Sequence, residues 1–189
     1  MSAQTINIFL ERLPEYEGTF YHKDIKGIET APLGIVIGNR DNQNIAKNLG
    51  ITLDKNISLS NAEKIARVRA EKDFEELSKS LGNNFKQLKP EFQAVVLDAK
   101  YNAGIFPKLA QNLNNFQTSP TPDNRTAVIK ESRRVVGGKP VRGLDNRAFK
   151  VLFDSGIVSS LDDVKPILTL ANTTDRMPTA KQARGDTLE

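Results

Sequence analysis

The chain predicts an α+β protein, mostly helical with a small antiparallel β-hairpin or sheet near the N-terminus. Three observations carry this. Residues 4–17 place Ile6, Phe9, Leu10, Leu13 and Tyr16 at helical spacing. Residues 19–38 are rich in β-branched and aromatic residues punctuated by Gly27, Gly34 and Gly38, as a short sheet requires. From Ser60 onward helical patterns follow one another with Gly or Pro between them.

The first helix contains Pro14, which either kinks it or ends it near Leu13, with one further turn before Gly18. Residues 39–48 read as a loop with a short helix stopped at Gly50. Ser60 and Glu63 form a capping-box pattern ahead of Ile65, Val68, Ala70, Phe74 and Leu77, and Gly82 closes that run. Pro90 opens the next helix, whose apolar face is Phe92, Val95, Val96, Ala99 and Tyr101 and which stops near Gly104. Shorter helices are expected over 107–116, 124–136 and 144–155, and a last one from about Ser160. The domain is expected to span 1–171, with a β-lobe at about 18–40 and a helical lobe at about 58–171. Residues 172–189 are polar and read as a flexible tail or linker.

Composition narrows the chemistry. At 189 residues, 38% hydrophobic and 26% charged, the chain is ordinary for one soluble globular domain. It has no cysteine, which excludes disulfides and thiolate metal sites, and its single histidine, His22, argues against a multi-histidine metal site or a histidine-based triad. No cofactor is suggested. No apolar run approaches the roughly 18 residues that span a bilayer, and the N-terminus lacks the basic and apolar regions of a signal peptide. The net charge of +4 is small and mixed along the chain. A nucleic-acid reading would rest on that charge and on Arg133, Arg134, Lys139 and Arg142 near Gly137 and Gly138. No base-reading or stacking motif accompanies them.

The chemistry-bearing stretch is Glu17-Gly-Thr-Phe-Tyr-His-Lys-Asp24, followed by Thr30 and the run Gly34-Ile-Val-Ile-Gly38. In a continuous helix Glu17 shares a face with Ile6, Leu10 and Leu13. There it is partly desolvated and lies at the negative end of the helix dipole, and both effects favour the protonated acid. Asp24, beside His22 and Lys23, is expected to stay ionised. Two carboxyls held in opposite protonation states suit glycosidic cleavage, which needs a proton donor and a carboxylate or positioned water. The plain alternative is a glutamate at a helix end and an aspartate satisfying a turn. Glu15 is a rival for the acid.

At these residues the chain resembles phage-type lysozymes, the muramidases of bacteriophage endolysins and related pesticin-like bacteriocins. Their pattern is an acid and Gly at the end of the first helix, then Asp and Thr on a Gly-rich hairpin. Residues 92–113 resemble the family helix that ends in Tyr-Asn-x-Gly, here Tyr101, Asn102 and Gly104. Residues 143–156 resemble its late Gly-Leu-x-x-Arg helix, with Arg147 in the arginine position.

The resemblance implies a lysozyme-like fold and hydrolysis of the β-1,4 link between N-acetylmuramic acid and N-acetylglucosamine. It makes Glu17 the general acid, Asp24 the group that positions water or stabilises the sugar cation, and Thr30 the residue that holds the water. It places Asn102 and Tyr101 on the substrate cleft and Arg147 behind the acid as a structural partner. It further implies a monomer acting on bacterial peptidoglycan, made in a host cytoplasm and delivered to the periplasm or wall. The tail is then available to other virion proteins. A lytic transglycosylase and a non-catalytic wall-binding module are the alternatives. Three features depart from the family pattern: Asn39-Arg40 follows the Gly-spaced run, the Glu17-to-Asp24 spacing is short, and there is no Trp. Tyr16, Phe20, Tyr21, Tyr101 and Phe106 are the aromatics available to a sugar.

Overall fold

The computed structural model describes residues 2–23, 27–133, 135–136, 139–140 and 142–164. Asp24, Arg134, Gly137, Gly138 and the 172–189 tail lie outside the described residues, as do the side chains of Lys139 and Arg142. The expected α+β class is what forms: eight α-helices and a small three-stranded antiparallel sheet near the N-terminus among the described residues. The chain divides into two compact units, Met1–Glu76 and Leu77–Glu189.

The first unit opens with α1, Ser2–Glu17, which buries Ile6, Phe9 and Leu13 on one face. The helix continues through Pro14 rather than ending near Leu13. Proline removes only its own N–H bond to the preceding turn. Its carbonyl still accepts the Gly18 N–H at 2.9 Å, so the last turn closes. Strands β1 (His22–Lys23), β2 (Glu29–Ala31) and β3 (Ile35–Val36) form an antiparallel meander. Its register pairs His22 with Thr30 and Thr30 with Val36, so Thr30 sits at the centre of the middle strand. A 3₁₀ turn, Pro32–Gly34, joins β2 to β3 and packs against α1. Helix α2, Arg40–Asn48, is capped by the Asn39 side chain, which accepts the Asn42 N–H.

Helix α3 runs from Leu59 to Ser80, and the boundary between units falls within it. Its cap is Ser58, not Ser60. The Ser58 hydroxyl accepts the Asn61 N–H at 3.2 Å and its carbonyl accepts the Ala62 N–H at 2.9 Å. Ser58-Leu-Ser-Asn offers the same hydroxyl-before-helix signal two residues earlier, and local pattern alone does not choose between two serines in one turn.

The second unit is helical: α4 (Asn83–Lys86), α5 (Pro90–Ala103), α6 (Pro107–Thr118), α7 (Pro122–Ser132) and α8 (Arg142–Asp154). Proline occupies the first position of α5, α6 and α7, where its missing N–H costs nothing and its fixed φ already suits the helix. Helix α5 is buried on every side from Phe92 to Ala99, not on one face alone. Phe92 and Phe116 meet in a tilted pair with ring centres 6.1 Å apart. Gln117 ties α6 to the loop before α5. Its Oε1 accepts the Lys89 N–H at 2.8 Å and its Nε2 donates to the Gln87 carbonyl at 3.0 Å.

The expected 124–136 helix ends at Ser132. Arg133 turns extended, and Val135–Val136 (β4) pair with Lys139–Pro140 (β5). Two successive β-branched residues favour that pairing over another helical turn. The expected helix near Ser160 is a single 3₁₀ turn, Leu161–Asp163.

Candidate active site

In the first unit the geometry converges on Glu17, the last residue of α1. Gly18 follows with φ 79°, the left-handed conformation that ends a helix without a Cβ penalty. Its carbonyl accepts the Leu33 N–H at 3.0 Å, which pulls the turn after β2 onto the helix end. Leu33 and Gly34 then take φ 63° and 70° in succession. A non-glycine residue in this region costs of order 1 kcal/mol and persists only where its surroundings enforce it. Leu33 meets that condition, being 2% exposed and bonded through its N–H.

Two left-handed residues in a row bring the Gly34 Cα under the Glu17 side chain. A Cβ built on Gly34 would fall 2.5 Å from the Glu17 Cδ and 2.7 Å from its Oε2. Only a glycine leaves room for the carboxyl where it lies. The glycine spacing is visible in the sequence, whereas the seating of the acid on Gly34 exists only in the folded turn.

Thr30 is 8% exposed on the middle strand of the same unit. Asp24, one residue beyond β1, is outside the described residues. Glu15 is exposed and Glu17 half-buried. In the same unit Tyr21 donates its hydroxyl to Glu29 Oε1 at 2.9 Å. That bond, then burial, then the Glu29 charge, push the Tyr21 hydroxyl above the usual tyrosine range. Of the aromatics available to a sugar, Phe20 is 81% exposed, whereas Tyr101 is 4% exposed and belongs to the core of the second unit.

The second unit holds the other candidate residues. Arg147, on α8, donates Nη2 to Asp98 Oδ1 at 2.6 Å and Nε to Asp98 Oδ2 at 3.4 Å. Both side chains are nearly excluded from water, 12% and 5% exposed. Asn102 donates its side-chain amide to the Asp98 carbonyl at 2.8 Å, one turn back on α5. Asp98 was missed in the sequence. The available signal was a lone carboxylate inside Phe-Gln-Ala-Val-Val-Leu-Asp-Ala, a helix with no polar face to receive it.

Among the described residues no cluster of three or more His, Cys, Asp or Glu is placed to hold a metal ion. No helix among them is long and apolar enough to cross a membrane. Comparison with protein-family models, with curated proteins and with solved structures returns no match.

Proposed function

We propose that the protein is a phage-derived peptidoglycan hydrolase, a muramidase that cleaves the β-1,4 bond between N-acetylmuramic acid and N-acetylglucosamine. The observation that carries this is the seating of the Glu17 carboxyl on Gly34 at the end of α1. A half-buried carboxyl at the end of a helix suits protonation of a glycosidic oxygen. Thr30, in the same unit, is the residue assigned to the attacking water, and Asp24 the carboxylate that positions it. Support also comes from the resemblance of this stretch, with Tyr-Asn-x-Gly and Gly-Leu-x-x-Arg downstream, to the phage-type lysozymes. Arg147, in the second unit, gives its guanidinium to Asp98, which fits the structural role the resemblance implies. In this proposal the protein is made in the host cytoplasm and acts in the wall as an endolysin or a virion-borne enzyme.

The test is turbidity clearing of purified peptidoglycan by the wild type, Glu17→Gln and Glu15→Gln. Clearing by the wild type and Glu15→Gln, with loss of roughly 10²-fold or more in Glu17→Gln, is expected. An inert wild type, or a Glu17→Gln protein that clears as fast, overturns the proposal. Reducing ends in the product fit hydrolysis, and 1,6-anhydro ends would make the enzyme a lytic transglycosylase instead.

A further inference from the structure

The first unit carries a groove of about 440 Å³ between α1 and the start of α3, with Leu33 in its lining. Glu17 does not line it. Its volume falls in the range of small-ligand sites, roughly 300–1,000 Å³. Leu10, Pro14 and Leu33 give it an apolar floor, and four charges rim it: Glu11 from α1, and Glu63, Lys64 and Arg67 from α3.

These charges do not neutralise one another. Glu63 and Arg67 stand four residues apart on α3, the spacing at which helical ion pairs close most readily. Yet Arg67 turns to α1 and donates both Nη1 and Nη2 to the neutral Asn7 Oδ1, at 3.3 Å each. Lys64 reaches only the Asn61 amide oxygen, at 3.4 Å. Neither Glu11 nor Glu63 has an ion-pair partner among the described residues. Two acids and two bases thus stand unpaired around one apolar hollow.

We propose that this groove binds a short zwitterionic peptide of about three small residues. Its free carboxylate meets Arg67 and Lys64, its free amine meets Glu11 and Glu63, and its small apolar side chains lie on Leu10, Pro14 and Leu33. The balance of signs selects this occupant. A simple anion is repelled by Glu63 and Glu11, a simple cation by Arg67 and Lys64, and a polyanion gains nothing from a rim of zero net charge. A ligand carrying both charges satisfies all four, and its carboxylate finds a guanidinium already oriented by Asn7. The site does not depend on the muramidase proposal, because Glu17 takes no part in it.

The test is calorimetric titration of the full chain with trialanine bearing free termini, against its N-acetylated and C-amidated forms. Saturable binding of the free peptide is expected, with each cap weakening it roughly tenfold. In the Lys64→Gln/Arg67→Gln protein the free and C-amidated peptides should bind alike, with the preference already weakened in Arg67→Gln alone, and in the Glu11→Gln/Glu63→Gln protein the free and N-acetylated peptides should bind alike. All four charged side chains are exposed, and far-UV circular dichroism and thermal melts check that each variant folds as the wild type does. Arg67→Lys, which keeps the charge, should retain part of the preference. Glu17→Gln should bind the peptide like the wild type even if it clears no peptidoglycan. No saturable binding, equal binding of capped and free peptides to the wild type, or an unaltered preference in Arg67→Gln would each overturn the proposal.

Discussion

The Glu17 carboxyl rests on the Cα of Gly34, so close that a methyl group at that position would fall 2.5 Å from the Glu17 Cδ. The two residues are joined through Gly18, whose N–H closes α1 on Pro14 and whose carbonyl takes the Leu33 N–H. Gly34→Ala therefore meets two penalties, a left-handed φ and a collision. Together they are expected to cost about 1–2 kcal/mol in chemical denaturation, most of it the left-handed backbone, because the Glu17 carboxyl ends a flexible side chain that can swing aside. In a Glu17→Ala background the collision is gone and only the backbone penalty, about 1 kcal/mol, should remain. An equal cost in both backgrounds would mean that the glycine does not seat the acid.

Arg147 and Asp98 form a nearly buried ion pair. Arg147→Met leaves the Asp98 carboxylate in an apolar helix without its cation, and a loss of about 3–5 kcal/mol is expected. The double variant Asp98→Leu/Arg147→Met removes both charges and should recover most of that loss, because it strands neither. Urea midpoints of the two single variants and the double variant decide this.

Asp163 clasps the C-terminal 3₁₀ turn. Its Oδ2 accepts the Ser159 N–H and hydroxyl and the Ser160 N–H, and its Oδ1 pairs with Arg125 of α7. Burial alone would raise this carboxyl. The bonds from Ser159 and Ser160 and the Arg125 charge outweigh it and hold the group below its ordinary 3.8. A depressed carboxyl contributes stability above its unfolded value, and that contribution is lost as pH falls through the folded one. Asp163→Asn should thus be less stable than the wild type by about 1–2 kcal/mol at pH 7. The gap should close on acidification below about pH 4. A gap that stays constant with pH would rule the clasp out.

The Tyr21–Glu29 bond gives the opposite sign. A raised hydroxyl contributes below its unfolded value near 10.0 and loses that contribution as pH rises through the folded one. Ultraviolet titration of the three tyrosines should show a late phenol that disappears in Tyr21→Phe. In Glu29→Gln that phenol should move back towards the ordinary range.

Ser58→Ala should cost about 1 kcal/mol by uncapping α3, whereas Ser60→Ala should cost a few tenths. A larger loss in Ser60→Ala than in Ser58→Ala in thermal melts would return the cap to Ser60.

The elements were legible where the signal is local. Pro90 and the 107 boundary mark the starts of α5 and α6, and Gly18 marks the end of α1, because each acts within its own turn; α7 starts at Pro122, two residues before the expected 124. Where two local signals competed, the sequence was ambiguous. Ser58 and Ser60 both suit a cap, and Val135–Val136 continue a helical pattern yet pair as a strand with Lys139–Pro140. Of the site, Glu17 and Thr30 were identified as candidates from residue type and spacing, and Asp24 lies outside the described residues. Gly34 as the seat of the acid was not foreseen, because its role exists only once the turn folds under α1.

By itself the amino-acid sequence determined the α+β class, the order of helix and sheet, and the candidate acid at the end of the first helix. These follow from periodicity, capping and breaker residues acting over a few positions. Tertiary structure alone decided three other matters. Glu17 rests on Gly34, Asp98 meets Arg147 across 49 residues, and Arg67 turns to Asn7 rather than to Glu63. The reason is physical. A buried carboxylate or an oriented guanidinium takes the partner that packing brings within reach, and that choice is made between elements distant in the chain.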